Sequence, residues 1–355
     1  METQEIEHLA HSKNLFFIIL ITILILLTDV NAQVYPDKKV DSLLKSGIEL
    51  IVAQDYNQAE KTFNKLKNNF PELPFGNIYL AANKIAEAYD YAEPFNEKFI
   101  LDNLEEAKLI SEKLLDENEN NIWYNYFLAI TEGYTAYFDA LNENWLSAFS
   151  TGLNSLKSFD DCLALDNNFY ESYIALGTYE YWKTRKTEFM RWLPFVDDDR
   201  DDAISKLKIA VDSSSYNSYL AINSLLWIYI DQKKYDKAKE LAQNALTKFP
   251  SSRSFIWVLA RAVEESDPAK AIIYYQDILK SYPEGINSRV NEITLKHIIA
   301  QRYFESGDFI KTQQICNEIL SIPDLKEFEL DLLGDRLERV KKMKSEVALK
   351  LTNRN

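Results

Sequence analysis

Apolar residues recur at helical spacing from Val40 to Leu320, in short runs divided by polar turns. The clearest run is Ser218 to Ser251. There Ile222, Leu225, Leu226 and Tyr229 form one stripe of a 3.6-residue helix. The polar turn DQKKYDKA follows, and Ala238, Ala242, Ala245 and Leu246 then give a second helix whose small residues let two helices approach closely. Phe249-Pro250 ends it, because proline cannot continue a helix and biases its predecessor away from helical angles. The same punctuation occurs in NNFPELP (68–74), TKFPSSR (247–253) and KSYPEGI (280–286), with the last two prolines 33 residues apart. Longer apolar helix pairs fill 75–116 and 121–166, and a charged helix is predicted over 327–351. With only 8 Gly and 9 Pro, too few for the turns of a sandwich or barrel, the pattern predicts an all-α chain of about seven helix pairs.

The period and its punctuation resemble the tetratricopeptide repeat (TPR), a 34-residue helix pair. Counted from Tyr219, the pattern positions 4, 7, 8, 11, 20, 27 and 32 fall on Ile222, Leu225, Leu226, Tyr229, Ala238, Ala245 and Pro250; Leu226 departs from the small residue preferred at 8. A unit from Val40 offers Leu43, Gly47, Leu50, Tyr56, Ala59, Phe63, Leu66 and Pro71. One from Arg253 offers Ile256, Leu259, Ala260, Ala271, Tyr275 and Pro283, and a weaker one at 293–320 has ESGDF in place of DQKKY. The resemblance implies a right-handed solenoid of antiparallel helix pairs over 35–322, with 323–355 as a C-terminal capping helix and tail. It also implies a concave groove lined from positions near 2, 5, 9, 12 and 13 of each first helix. The scaffold hosts many binding roles and fixes none.

Ahead of the array, Leu15 to Leu27 are apolar apart from Thr22, follow Lys13, and lead to Val30-Asn31-Ala32 before Gln33. Thirteen residues are short for a membrane span of about 20, while small or modest residues at −3 and −1 suit a signal-peptide cleavage site. Residues 1–32 therefore read as a signal peptide, or an uncleaved N-terminal anchor. Glu2, Glu5 and Glu7 run against the basic start such a segment usually has. The expected compartment is the periplasm or cell envelope of a bacterium. A net charge of −15, or −12 once four acids and one base leave with 1–32, argues against a nucleic-acid partner. Cys162 and Cys316 sit in apolar helical registers and read as core residues. His297 is the one histidine beyond residue 32, so no Ser-His-Asp or Cys-His arrangement can be assembled, and no glycine-rich phosphate loop exists. The chain reads as non-enzymatic, with no cofactor and no metal.

One stretch breaks the pattern. GTYEYWKTRKTEFMRWLPFVDDDRDDA (177–203) turns from aromatic to basic and ends in five aspartates around Arg200. Gly177 as position 8 sets its repeat to begin at 170, whereas Ala203 as position 20 sets it to begin at 184. Fourteen residues are thus inserted between two helices, predicting an enlarged elbow at 183–202 with Arg185, Arg191, Trp192, Asp199 and Arg200 as its notable residues. The acids suit a helix start, and Arg185 and Arg191 would pair with the aspartates across the loop. The alternative is a basic-aromatic lip that recognises a ligand. DDRDD also spells a magnesium-binding DDxxD, without the second motif that this chemistry needs. Gly177, Leu193, Pro194, Asp199 and Arg200 faintly resemble the elbow of the inclusion-body-clearance TPR family, which implies a feature of fold.

In the groove, the register brings up Tyr181 and Trp182, then Leu220, Asn223, Trp227 and Asp231, then Trp257, Arg261, Glu264 and Glu265. Basic residues at positions 5 and 9 are missing apart from Arg261, which disfavours an acidic C-terminal peptide. Trp227 and Trp257 either line the groove or bury into neighbouring helices. The expected function is a protein-interaction scaffold of the envelope that binds an extended peptide or partner protein in the concave groove. An envelope protein holding glycan or peptide in an aromatic groove is the alternative. Membrane contact would come only through residues 15–27, if uncleaved.

Overall fold

The computed structural model describes residues 33–188 and 198–352 and places fifteen helices and no strand there. Fourteen of them form seven antiparallel pairs: α1 (Lys38–Val52) with α2 (Tyr56–Asn69), α3 (Phe75–Tyr91) with α4 (Glu97–Glu117), and α5 (Ile122–Leu141) with α6 (Trp145–Leu165). Then come α7 (Tyr170–Lys186) with α8 (Arg200–Ser213), α9 (Ser218–Asp231) with α10 (Tyr235–Lys248), α11 (Arg253–Val263) with α12 (Pro268–Ser281), and α13 (Val290–Glu305) with α14 (Phe309–Leu320). The last helix, α15 (Glu327–Thr352), packs on α13 and α14. The all-α solenoid of repeated helix pairs is as the sequence predicts. The segment 1–32 lies outside the described residues, among which no helix is long and apolar enough to cross a membrane.

Local chemistry sets the helix ends. Carboxylates of Asp37, Asp55, Asp267 and Asp308 accept backbone N–H groups at the starts of α1, α2, α12 and α14, groups that otherwise lack partners. Pro268 at the first position of α12 loses no hydrogen bond there. Four of the connections within pairs share one geometry: three residues with the middle one left-handed, at Gln54, Glu143, Lys233 and Gly307. Only the last is glycine, the residue that adopts that conformation without steric cost, and it stands in ESGDF where DQKKY has Lys233.

Glycine at position 8 brings two of the pairs close together. A side-chain carbon on Gly47 would strike the ring of Phe63, and one on Gly177 would lie 2.8 Å from the Ala203 carbonyl and 3.0 Å from Leu207. Gly177 and Ala203 therefore belong to one pair, and the inserted residues lie between them. Against the pair α9–α10, four of those residues lengthen α7 by about a turn and ten lie in the connection. The elbow is accordingly shorter than 183–202: Lys183 to Lys186 are helical and Arg200 opens α8. Cys162 and Cys316 are both buried free thiols.

The array closes on itself. Counted from Val40, the groove positions of α1 are Asp41, Leu44, Ile48, Ile51 and Val52, and none is left open. Leu44 and Ile48 are buried, Ile51 packs in the first core, Val52 packs against the core of the fourth and fifth pairs, and Asp41 accepts the Tyr216 hydroxyl at 2.7 Å. Phe75 to Asn83 on α3 are buried without a break, the signature of a helix wrapped on every side.

Two buried polar clips hold this closure. In the first, Glu171 accepts the backbone N–H groups of Tyr216 (2.7 Å) and Asn217 (3.3 Å) and the Asn217 amide (2.9 Å). Asn217 also reaches the hydroxyls of Tyr79 and Tyr126, and the Tyr35 N–H donates to the Tyr216 hydroxyl. In the second, Arg253 forms a two-pronged ion pair with Asp90, donates to the Ser281 carbonyl at 3.1 Å, and stacks its guanidinium on Tyr282, 4.7 Å from the ring centre. Its own N–H donates to Gln54 at 2.9 Å, and Tyr56 donates to Asp90 at 3.0 Å. The clips grip opposite ends of α1, and Lys248 pairs with Glu49 (2.5 Å) between them.

His297 ties α15 to the array. It is buried on α13, and its Nδ1 accepts from Arg336 of α15 at 3.0 Å. Burial, with Arg336 and Arg339 beside it, pulls the imidazole down to about 4 from an ordinary 6.5. A depressed native value means that the unfolded chain takes the proton first. Stability is then full above pH 6.5 and is lost as pH falls from 6.5 through about 4, by on the order of 3 kcal/mol. Hydrogen exchange in α15 should rise over that window in the wild type and stay flat in His297→Leu; equal slopes would refute the assignment.

Candidate functional face of the central repeats

With the first repeats sealed, the open groove positions are on α7, α9 and α11, which lie side by side. Leu220 and Trp227 on α9 are 48% and 38% exposed, and Asn223 lies half-buried between them. Seven residues separate Leu220 from Trp227, two helical turns, so both point from the same face. Trp257 on α11 is half-buried with its ring edge against Tyr275, centres 5.2 Å apart. Beside it Arg261 pairs with Glu264, whose buried carboxylate also takes the Tyr275 hydroxyl. Trp182 on α7 is half-buried and meets Tyr181 edge-on at 5.2 Å. Of the three tryptophans placed in the groove by register, Trp227 is the exposed one.

Tyr181 is not a groove residue, which corrects the expectation from its register. Its ring is fully buried in the core of the fourth and fifth pairs, and its hydroxyl donates to Asp231 at 2.8 Å. The cause is the close approach of α9, which is also marked by the hydrogen bond from Thr178 to Ser224 (2.8 Å). Burial and the neighbouring Asp231 carboxylate push the phenol well above its usual range. Glu264 is likewise a buried anchor for Arg261 and not a free rim acid.

Arg185 stands on the added turn of α7, and its partners differ from those expected. It pairs with Asp231 of the next repeat (3.0 Å) and with Glu188 (2.8 Å). The hydrogen bonds it donates to Asp231 raise its pKa. Arg200 takes Asp198 with two prongs, at 2.7 and 2.6 Å, and reaches Glu188 at 3.5 Å. A chain of alternating charge, Asp231–Arg185–Glu188–Arg200–Asp198, therefore runs from the open face to both ends of the elbow. Such solvent-screened pairs contribute little to the stability of the fold. Asp199 stands at the N-cap of α8 without a side-chain hydrogen bond to the helix, and Asp201 and Asp202 occupy the first turn, where the helix dipole favours acids. Arg191 and Trp192 lie outside the described residues. Among the described residues, no group of three or more His, Cys, Asp or Glu could hold a metal ion.

Two clefts of about 350 and 310 Å³ lie elsewhere. The first is lined by Lys208, Asp212, Tyr229, Lys237 and Glu240, and the second by Tyr282, Pro283, Gly285 and Arg289; neither includes a groove tryptophan. Register reasoning missed the two clips altogether. It also took the exposed start of α6 (Trp145, Leu146, Phe149) only as part of an apolar helix.

The tetratricopeptide-repeat family model matches residues 41–72 and 227–252, within the first pair and across α9–α10. No curated protein matches the chain. Among solved structures, the C-terminal part of a TPR repeat-containing protein from Cytophaga hutchinsonii is 17% identical, with a TM-score of 0.39 over 82% of this chain and 99% of that one. The human IFIT1 dimer with m7Gppp-AAAA is 15% identical, with a TM-score of 0.44 over 90% of this chain and 82% of that one. The TPR domain of P58(IPK) is 10% identical, with a TM-score of 0.24 over 86% of this chain and 98% of that one.

Proposed function

We propose that this tetratricopeptide-repeat protein is a non-catalytic protein-interaction scaffold of the cell envelope, which takes an extended segment of a partner protein across α7, α9 and α11. The observation that carries the reading is Trp227 with Leu220. Two large apolar side chains stand exposed on the groove face of α9, where the flanking repeats hold Trp182 and Trp257 half-buried. An aromatic anchor at the centre of such a face is the usual energetic focus of a protein interface. The rim is acidic or already paired, and with a net charge of −15 the fitting segment is apolar with basic flanks. The envelope setting rests on the apolar run 15–27 and the small residues before Gln33.

Catalysis finds little support. Among the described residues His297 is the one histidine, and it is buried beneath α15. Crosslinking pull-down from envelope fractions, with the full chain and its Leu220→Ala/Trp227→Ala variant, tests the reading. Hot-spot loss of about 2 kcal/mol or more corresponds to at least a ~30-fold drop in capture of a specific partner. Unchanged capture of every partner by a folded variant would overturn the assignment of this face.

A further inference from the structure

The first three turns of α6 carry an apolar face that no other described residue covers. Trp145, Leu146, Phe149 and Leu153 are 65%, 89%, 67% and 43% exposed. Their spacing places them along one side of the helix. The opposite side, through Ser155 and Cys162, packs on α5. With a large side chain taken at about 200 Å², these four expose on the order of 500 Å² of apolar surface. That is near the top of what a monomer usually leaves uncovered. Together with the exposed Glu143, Ser150, Asn154 and Lys157 around them, the face approaches the roughly 800 Å² per partner of a stable interface.

We propose that this face of α6 is a homodimer interface, in which two copies cross antiparallel at Phe149–Ser150. The pattern of the helix is its own complement about that point. Rotation by two-fold symmetry lays Trp145 and Leu146 against Leu153 of the second copy and sets Phe149 beside its equivalent. It also brings Glu143 to Lys157 of the second copy, twice over. Both residues are exposed, and neither has an ion-pair partner among the described residues. They stand about seven residues to either side of the centre with opposite charge. Two-fold interfaces require this self-complementarity, in which a residue meets a second one whose equivalent returns the contact. The short Ser150 side chain at the crossing lets the helices approach. An anionic lipid surface fits less well, because Glu143 would face it.

The test uses the full chain. Ser150→Cys places an accessible thiol at the crossing, since Cys162 and Cys316 are both buried. Treatment of intact cell envelopes with a short bis-maleimide should give an adduct of twice the chain mass, and Leu146→Glu/Phe149→Glu in the same background should abolish it. Glu143→Lys alone and Lys157→Glu alone should each lower the yield several-fold, and the two together should restore it. A surviving adduct in the apolar double variant would place dimerisation elsewhere, for example in residues 15–27. Adducts only with a different protein, or none at all, would overturn the proposal. Failure of rescue in the charge-swapped double variant would overturn the antiparallel register. Every substituted side chain is exposed, and circular dichroism of each variant verifies that the helices are intact.

Discussion

Arg253→Ala is expected to destabilise the native closure by up to about 3–5 kcal/mol, because it leaves the Asp90 carboxylate, only 12% exposed, without its counter-charge. Asp90→Ala should cost a similar amount by stranding the guanidinium. The effect should be local before it is global, since repeats lose contact with their neighbours one at a time. Hydrogen exchange should rise first at 52–56, 88–92 and 281–291, the segments that Arg253 and Asp90 join. A double replacement, Asp90→Leu with Arg253→Met, should recover much of the loss, because removing both charges also removes the desolvation cost. If the double variant is as damaged as the singles, packing around Tyr56 and Tyr282 holds this end of α1 and the ion pair is secondary.

Glu171→Ala is expected to loosen the opposite end of α1. It strands the backbone N–H groups of Tyr216 and Asn217, each costing about 1–3 kcal/mol when buried. Exchange should rise at 35–41 and 214–217, with 88–92 little changed. The carboxyl itself has a raised pKa: burial pushes it up, and the N–H groups of Tyr216 and Asn217 only partly offset that. A raised native value means that the folded chain holds the proton longer. The stability this contributes is fully present below pH 4.5 and is lost as pH rises through the native value. That slope should be missing in Glu171→Gln, which keeps the shape of the clip without the charge. Urea midpoints of the two proteins from pH 4 upward measure it, and parallel curves would contradict the assignment.

Helix pairing was legible because it is local. Ala59, Ala203, Ala238 and Ala271 are each fully buried, as a small residue between two crossing helices must be. Counting from Gly177 to Ala203 revealed the insertion, yet not its division into an added turn of α7 and a longer connection, since TRKTE has no strong stop signal. The partner of Arg185 was hidden for a different reason: Asp231 lies 46 residues away on the next repeat. Tyr181 shares its register with true groove positions, and only the approach of α9 buries it. The clips lay furthest from view. Arg253 and Asp90 are 163 residues apart and meet through the curvature of the whole array, which small angles between successive pairs accumulate. Trp145 and Leu146 are plainly apolar in the sequence, but sequence does not say that no other described residue covers them.

The central claim is that α1 is locked against the turns of the later repeats, leaving recognition to α7, α9 and α11. Carbodiimide coupling of the unmodified full chain tests it most directly, because that reagent joins only amines and carboxylates already in contact. Lys248 and Glu49 are 199 residues apart and 2.5 Å from each other across the closure. Mass spectrometry of the monomer band should find the Lys248–Glu49 isopeptide alongside short-range links such as Lys67–Glu106. A monomer rich in links between neighbouring helices but without the 49–248 link would describe an open solenoid, with α1 free of the later repeats and its own groove positions exposed to a partner.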